Sequence, residues 1–196
     1  VNDPTPGRAN PRYDPLRRDR IIDACLDVIA ARGLAGTSHR RVAAAAGVPL
    51  GSMTYHFAGM EELVRSAFAR YASTVADRFE RRLSAASGPR EATDAVIAIV
   101  SEDVFTSDRD LVLTHELYTL AAREPAYRDL TTGWMRRSRD ALERHFDPLT
   151  ARLLDAMIEG LTLHRALSAT PVDPRDTIEA IERLTREQTG PAHPGE

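Results

Sequence analysis

The chain has 196 residues, 42% of them apolar, with 29 acidic residues against 26 basic ones and a net charge of −3. That length suits one large domain or two small ones. No run approaches the roughly 18 uncharged apolar residues of a membrane span and no basic-then-apolar leader opens the chain, so a cytoplasmic protein without a membrane partner is expected. The single cysteine, Cys25, excludes an internal disulfide and a cysteine-based metal cluster.

Charge is unevenly spread. Residues 1–71 hold 10 arginines and 7 carboxylates, a balance of +3, and the remainder of the chain carries −6. A polyanion is therefore expected to meet the first third. All 26 basic residues are arginine, which suits phosphate contact but is explained as well by coding bias.

Residues 1–14, rich in Pro, Gly, Asn and Asp, read as a flexible arm, with Arg8 and Arg12 available to phosphates or a minor groove. A first helix is predicted from about Pro15 to Arg32. Its apolar face is Leu16, Ile21, Ile22, Cys25, Leu26, Val28 and Ile29, which makes Cys25 a packing residue. Arg17, Arg18 and Arg20 crowd its N-terminus, opposite to the charge order that favours an isolated helix, and phosphate contact is one reason for such a cluster. Gly33 then stops the helix.

Residues 37–57 read as two short helices with a sharp corner. Ser38 caps the first, His39 to Ala46, whose narrow apolar face is Val42, Ala43 and Ala46. Gly47 tolerates a positive φ, and the alanines before it let a second helix cross closely. Pro49 suits the opening of that helix, Leu50 to His56. Leu50, Met53 and Phe57 are expected to face inward, leaving Gly51, Ser52, Thr54, Tyr55 and His56 outside. Small and hydrogen-bonding residues on a short helix suit a major groove.

Beyond Ala58-Gly59 the spacing predicts a long helix over about 60–85, then helices over 90–104, 109–123, 125–146, 149–167 and 175–188, and a Pro/Gly-rich tail at 189–196. No strand-like alternation of useful length occurs. The fold class is all-α, about nine helices. The divisions are an arm at 1–14, a helix-turn-helix domain at 15–59, a helical body at 60–188 and a tail at 189–196.

Between residues 33 and 63 stand Gly33, Thr37, Val42, Ala43, Ala46, Gly47, Val48, Gly51, Ser52, His56, Phe57, Glu61 and Leu63. This pattern and its spacing resemble the TetR family of transcriptional regulators. The resemblance implies an N-terminal three-helix DNA-binding bundle on a helical ligand-binding and dimerisation domain whose last two long helices form a four-helix interface. It assigns Thr37, Arg40 and Arg41 to phosphate contact and Ser52, Thr54, Tyr55 and His56 to the reading helix. Two positions depart from the family pattern. Thr54 stands where an aromatic residue is usual, with Tyr55 next to it, and Met60 stands where a lysine is common.

For the body, the resemblance implies a small-molecule effector. His115, Tyr118, Trp134 and His164 interrupt apolar helices and are candidates for its pocket. Leu154, Ile158, Leu161 and Ile181 are candidates for the homodimer interface. The expected function is a sequence-specific regulator, a repressor released from a palindromic double-stranded DNA operator by its effector. A helical protein-interaction module is the alternative. No cofactor, metal or enzymatic activity is expected: His39, His56, His115, His145, His164 and His193 lack ligand spacing, and no phosphate-binding glycine loop occurs.

Overall fold

The computed structural model describes residues 14–104 and 107–186. Arg8, Arg12 and the 189–196 tail lie outside the described residues. Nine α-helices follow one another among those described: α1 Arg17–Arg32, α2 His39–Ala46, α3 Gly51–His56, α4 Met60–Ser84, α5 Pro89–Ala98, α6 Asp108–Arg123, α7 Pro125–Leu142, α8 Pro148–Leu167 and α9 Pro174–Thr185.

Helix starts are written in side-chain chemistry. Ser38, Ser107, Asp147 and Asp173 each accept a backbone N–H in the first turn of α2, α6, α8 and α9. Proline occupies the first turn of α5, α7, α8 and α9, where its missing N–H costs nothing.

Three boundaries differ from expectation. The helix predicted through Val104 is α-helical only to Ala98 and continues as a π turn over Ile99–Asp103. Arg165 donates to the Val100 and Val104 carbonyls, and Arg78 donates to that of Asp103. Acceptors engaged sideways in this way favour a widened turn. The helix predicted to reach Phe146 closes at Leu142, although Phe146 stays buried. Leu50, predicted to face inward, is 54% exposed because it sits at the cap before α3 instead of inside its apolar face.

Two apolar clusters form the interior. The first joins α1, α2 and α3 to the first half of α4 and to Leu113, Leu117, Ala121 and Tyr127 of α6 and α7. The second joins Phe79 and Leu83 at the end of α4 to α5, the π turn, the end of α7, α8 and Ile181 of α9. α4 has 25 residues, a length of roughly 37 Å at 1.5 Å per residue. It therefore runs through both clusters, and the first does not end at Gly59.

Candidate functional site

The head is built around Gly47, which has φ 64° and ψ 36°, a left-handed conformation that glycine adopts without a side-chain clash. Its N–H and that of Val48 close α2 on the Ala43 and Ala44 carbonyls. Met53 and Phe57 are buried under the corner. The opposite face of α3 presents Tyr55, 84% exposed, with Thr54 also exposed and Ser52 and His56 half-buried. The His56 ring stands edge-on to Tyr55 at 4.9 Å.

The predicted phosphate residues divide. Arg40 is exposed on α2 with no ion pair among the described residues. Arg41 is exposed but spends one N–H on the Gly36 carbonyl at 2.7 Å, and the Thr37 hydroxyl donates to the Gly33 carbonyl at 3.0 Å. Both therefore shape the α1–α2 loop as well. The arginine cluster on α1 is partly used inside the protein: Arg20 pairs with Asp14 at 2.8 Å, and Arg18 lies over the Phe57 ring.

Polar contacts fasten head to body. The Leu34 N–H donates to Glu116 Oε1 at 3.1 Å, and Arg109 pairs with Asp27 at 2.9 Å, so α6 grips α1 and the loop after it. Arg70 of α4 holds Asp19 and Asp23 of α1. None of these was singled out in the sequence, because each joins residues more than 45 positions apart.

A cavity lies where α4 passes from the first apolar cluster to the second. About 630 Å³ of unfilled space lies between its walls, open solvent included, and the room it leaves for the centres of water-sized guests is about 60 Å³. Tyr71, Tyr118 and Trp134 form an aromatic corner. The Tyr71 and Tyr118 rings lie 6.3 and 6.1 Å from that of Trp134, the first edge-on. The Tyr71 hydroxyl meets Thr114 Oγ1 at 2.8 Å and donates to the Asp110 carbonyl at 3.0 Å. Desolvation raises the Tyr71 phenol, and for Tyr118 burial and then the Glu159 charge do the same, so both stay neutral donors.

Asp103, Asp110, Asp155 and Glu159 also line this space. Burial pushes the Asp155 carboxyl up to about 6 against the pull of Arg139, whose Nη1 is 3.3 Å away, and Glu159 adds to the rise. Of the predicted pocket residues, Tyr118 and Trp134 line the cavity and two do not. His115 turns its Nδ1 to the Leu111 carbonyl at 2.7 Å within α6, and His164 is exposed on α8. A signal for Asp155 and Glu159 was present: two acids one turn apart in a leucine-rich helix.

Three of the four predicted interface residues turn inward, and Leu161 is half-buried. Leu154, Ile158 and Ile181 are buried inside the chain, and Leu161 packs against the same cluster. The excess apolar surface of α8 is elsewhere, on Leu149, Leu153 and Leu167, which are exposed along one stripe with Ala156 and His164 and the half-buried Gly160. Ile178 of α9 is exposed too.

Residues 21–67 match the family model described as bacterial regulatory proteins, tetR family, and residues 87–187 match that described as tetracyclin repressor-like, C-terminal domain. The crystal structure of SCO7518 from Streptomyces coelicolor A3(2) is 59% identical in sequence, covering 87% of this chain and 99% of that one, with a TM-score of 0.77. The multidrug binding protein EbrR, solved in complex with ethidium, is 37% identical over 88% of this chain and 99% of its own, with a TM-score of 0.70. The HTH-type transcriptional regulator BetI of Brucella suis biovar 1 (strain 1330) is 24% identical over 177 residues, 86% of this chain and 89% of BetI.

Proposed function

The chain belongs to the tetR family of bacterial regulatory proteins, DNA-binding transcriptional regulators, and from that premise we propose a homodimeric repressor released from a palindromic operator by a small aromatic effector. α3 enters the major groove, with Ser52, Thr54, Tyr55 and His56 at base edges and Arg40 and Arg41 on phosphates. The observation that carries this reading is the exposed Tyr55–Thr54 face, held outward by the Gly47 corner and the buried Met53 and Phe57. One α3 offers only 6 residues, so two copies related by a twofold axis are required for a specific site, and the operator repeats with that symmetry.

The α8 stripe from Leu149 to Leu167, with Ile178 of α9, supplies the dimer face. Gly160 sits in the middle of that stripe, where a Cβ would meet nothing within 4 Å, leaving room for a partner helix. The aromatic cavity supplies the effector site. Its support is the cavity itself and the 37% identical EbrR, solved with ethidium and other dyes. The effector acts by favouring a dimer whose reading helices are wrongly spaced for two successive grooves.

Selection of bound duplexes from random DNA tests the first half. The expected product is an inverted repeat whose binding weakens steeply with salt. Recovery of no preferred sequence overturns the reading. Ethidium titrated onto the protein–operator complex, against a protein-free duplex as blank, tests release.

A further inference from the structure

Three large side chains with apolar surface are exposed on the head: Leu16, Leu50 and Tyr55. Leu16 precedes α1, next to residues outside those described. Leu50 and Tyr55 stand together. Leu50 has helical angles, φ −55° and ψ −36°, so it lies one turn before Thr54 on the same side of α3, as Gly51 lies one turn before Tyr55. All four positions are exposed, while Met53 and Phe57 carry the buried side. The exposed face is chemically split. Tyr55 brings a hydroxyl that can donate and accept. The Thr54 hydroxyl donates to the Gly51 carbonyl at 3.2 Å, so its proton is used inside the helix and a methyl group and a lone pair remain. Leu50 has neither donor nor acceptor. A Cβ on Gly51 would meet nothing within 4 Å, so internal packing does not demand glycine there, and the missing side chain lets the α3 backbone approach a groove floor closely.

We infer that Leu50 packs on the C5-methyl group of one thymine in each half of the operator, with the Thr54 methyl group alongside, and so selects that base pair. This inference rests on α3 lying in the major groove, and it names one base feature and the residue that reads it. The thymine methyl is the apolar feature that base edges offer in that groove. Leucine against it removes apolar surface of both partners from water. Cytosine at the same place has no methyl group, and its amino group loses water with nothing given in return. The contact is worth about one buried methyl group, or about 4-fold in affinity per half-site. It neutralises no phosphate, so it leaves the salt dependence as it is.

Deoxyuridine differs from thymidine by that methyl group alone. Replacing each thymine of the selected operator in turn, together with its symmetry mate, therefore isolates the contact in anisotropy titrations of the full-length protein. At least one such pair is expected to weaken binding about 15-fold when replaced, the product of two half-sites. Leu50→Ala is expected to weaken the all-thymine operator and to abolish that sensitivity at an unchanged salt slope. Leu50 is 54% exposed, so the variant should keep the parent's thermal melt. Should it melt early, Leu50→Gln carries the test: reselection from random DNA is expected to lose thymine at that position. Thr54→Ser, which keeps the hydroxyl and drops the methyl group, is expected to retain most of the sensitivity. An operator indifferent to deoxyuridine at every position, or a sensitivity that persists without Leu50, overturns the inference. A sensitivity lost in Thr54→Ser and kept in Leu50→Ala overturns it in favour of Thr54. The two levels separate cleanly. Recovery of no preferred duplex removes the operator reading and this inference with it, whereas a palindromic operator blind to the methyl group removes only the role of Leu50.

Discussion

Keeping Asp155 in the cavity wall destabilises the fold at neutral pH, and the cost can be measured. Its side chain is 22% exposed, and burial raises its pKa from 3.8 to about 6. The folded protein thus holds a proton between these values that the unfolded chain has released. By linkage, the group's contribution is fully favourable below pH 3.8 and is lost as pH rises to about 6, after which it is constant. At about 1.4 kcal/mol per unit, the loss is about 3 kcal/mol. Asp155→Asn removes it, the opposing pull of Arg139 being already contained in that net rise. The variant should therefore be more stable than the parent by about 3 kcal/mol at pH 7.5, a rise in Tm of about 6–12 °C for a chain of this size. The two should converge near pH 4. Thermal melts of both proteins across pH 4–8 at one fixed protomer concentration isolate this residue and its coupling to Glu159, because the more distant carboxylates cancel in the difference. A variant less stable at pH 7.5, or a difference that does not change with pH, refutes the account.

Tyr55→Ala should weaken operator binding 10-fold or more and relax sequence preference, while Arg40→Ala should weaken all duplexes alike and lower the salt slope by about one; anisotropy titrations over a salt series distinguish the two. Leu153→Glu, 45% exposed on the α8 stripe, should give a folded monomer by sedimentation, whereas Leu154→Glu, fully buried, should fail to fold. Gly47→Ala meets no neighbouring atom but must adopt φ 64°, so denaturant titration should show a loss of about 1–2 kcal/mol.

What was legible in the sequence was local. Ser38 and Gly47 act within a turn of themselves, so the corner of the head could be read from residue type alone. Gly33 closes α1 with φ 69° for the same reason. Leu50 escaped because its spacing matched Met53 and Phe57 while its position, at the cap, lay outside the helix. Leu154, Ile158 and Ile181 were misplaced because α8 is apolar on two faces, and periodicity does not say which face meets the chain's own core. Asp155 and Glu159 stand one turn apart in a leucine-rich helix, a pattern visible among the 29 carboxylates, but only long-range packing tells a lining acid from a solvated one. His115 and His164 interrupt apolar helices as lining residues do, yet one bonds within its own helix and the other faces out.

The cavity's position bears on how an occupant is felt at the DNA. Tyr71 belongs to the apolar cluster shared with the head, and Phe79, two turns along α4, belongs to the other cluster; both line the cavity. A guest wedged at that seam cannot displace α4 or α6 without moving what they hold. α6 carries Thr114 and Tyr118 on the cavity side, and Arg109 and Glu116 on Asp27 and Leu34 of the head. Interiors packed this closely yield by small rigid shifts of whole helices, not by local compression. Moving such an equilibrium from 1:99 to 99:1 takes a differential affinity of about 5.5 kcal/mol. An occupant supplies energy of that kind only through contacts that differ between the two forms of the dimer. Glu116→Gln weakens the α6 grip on the loop after α1 without touching the cavity, so it should leave dye affinity unchanged and blunt operator release.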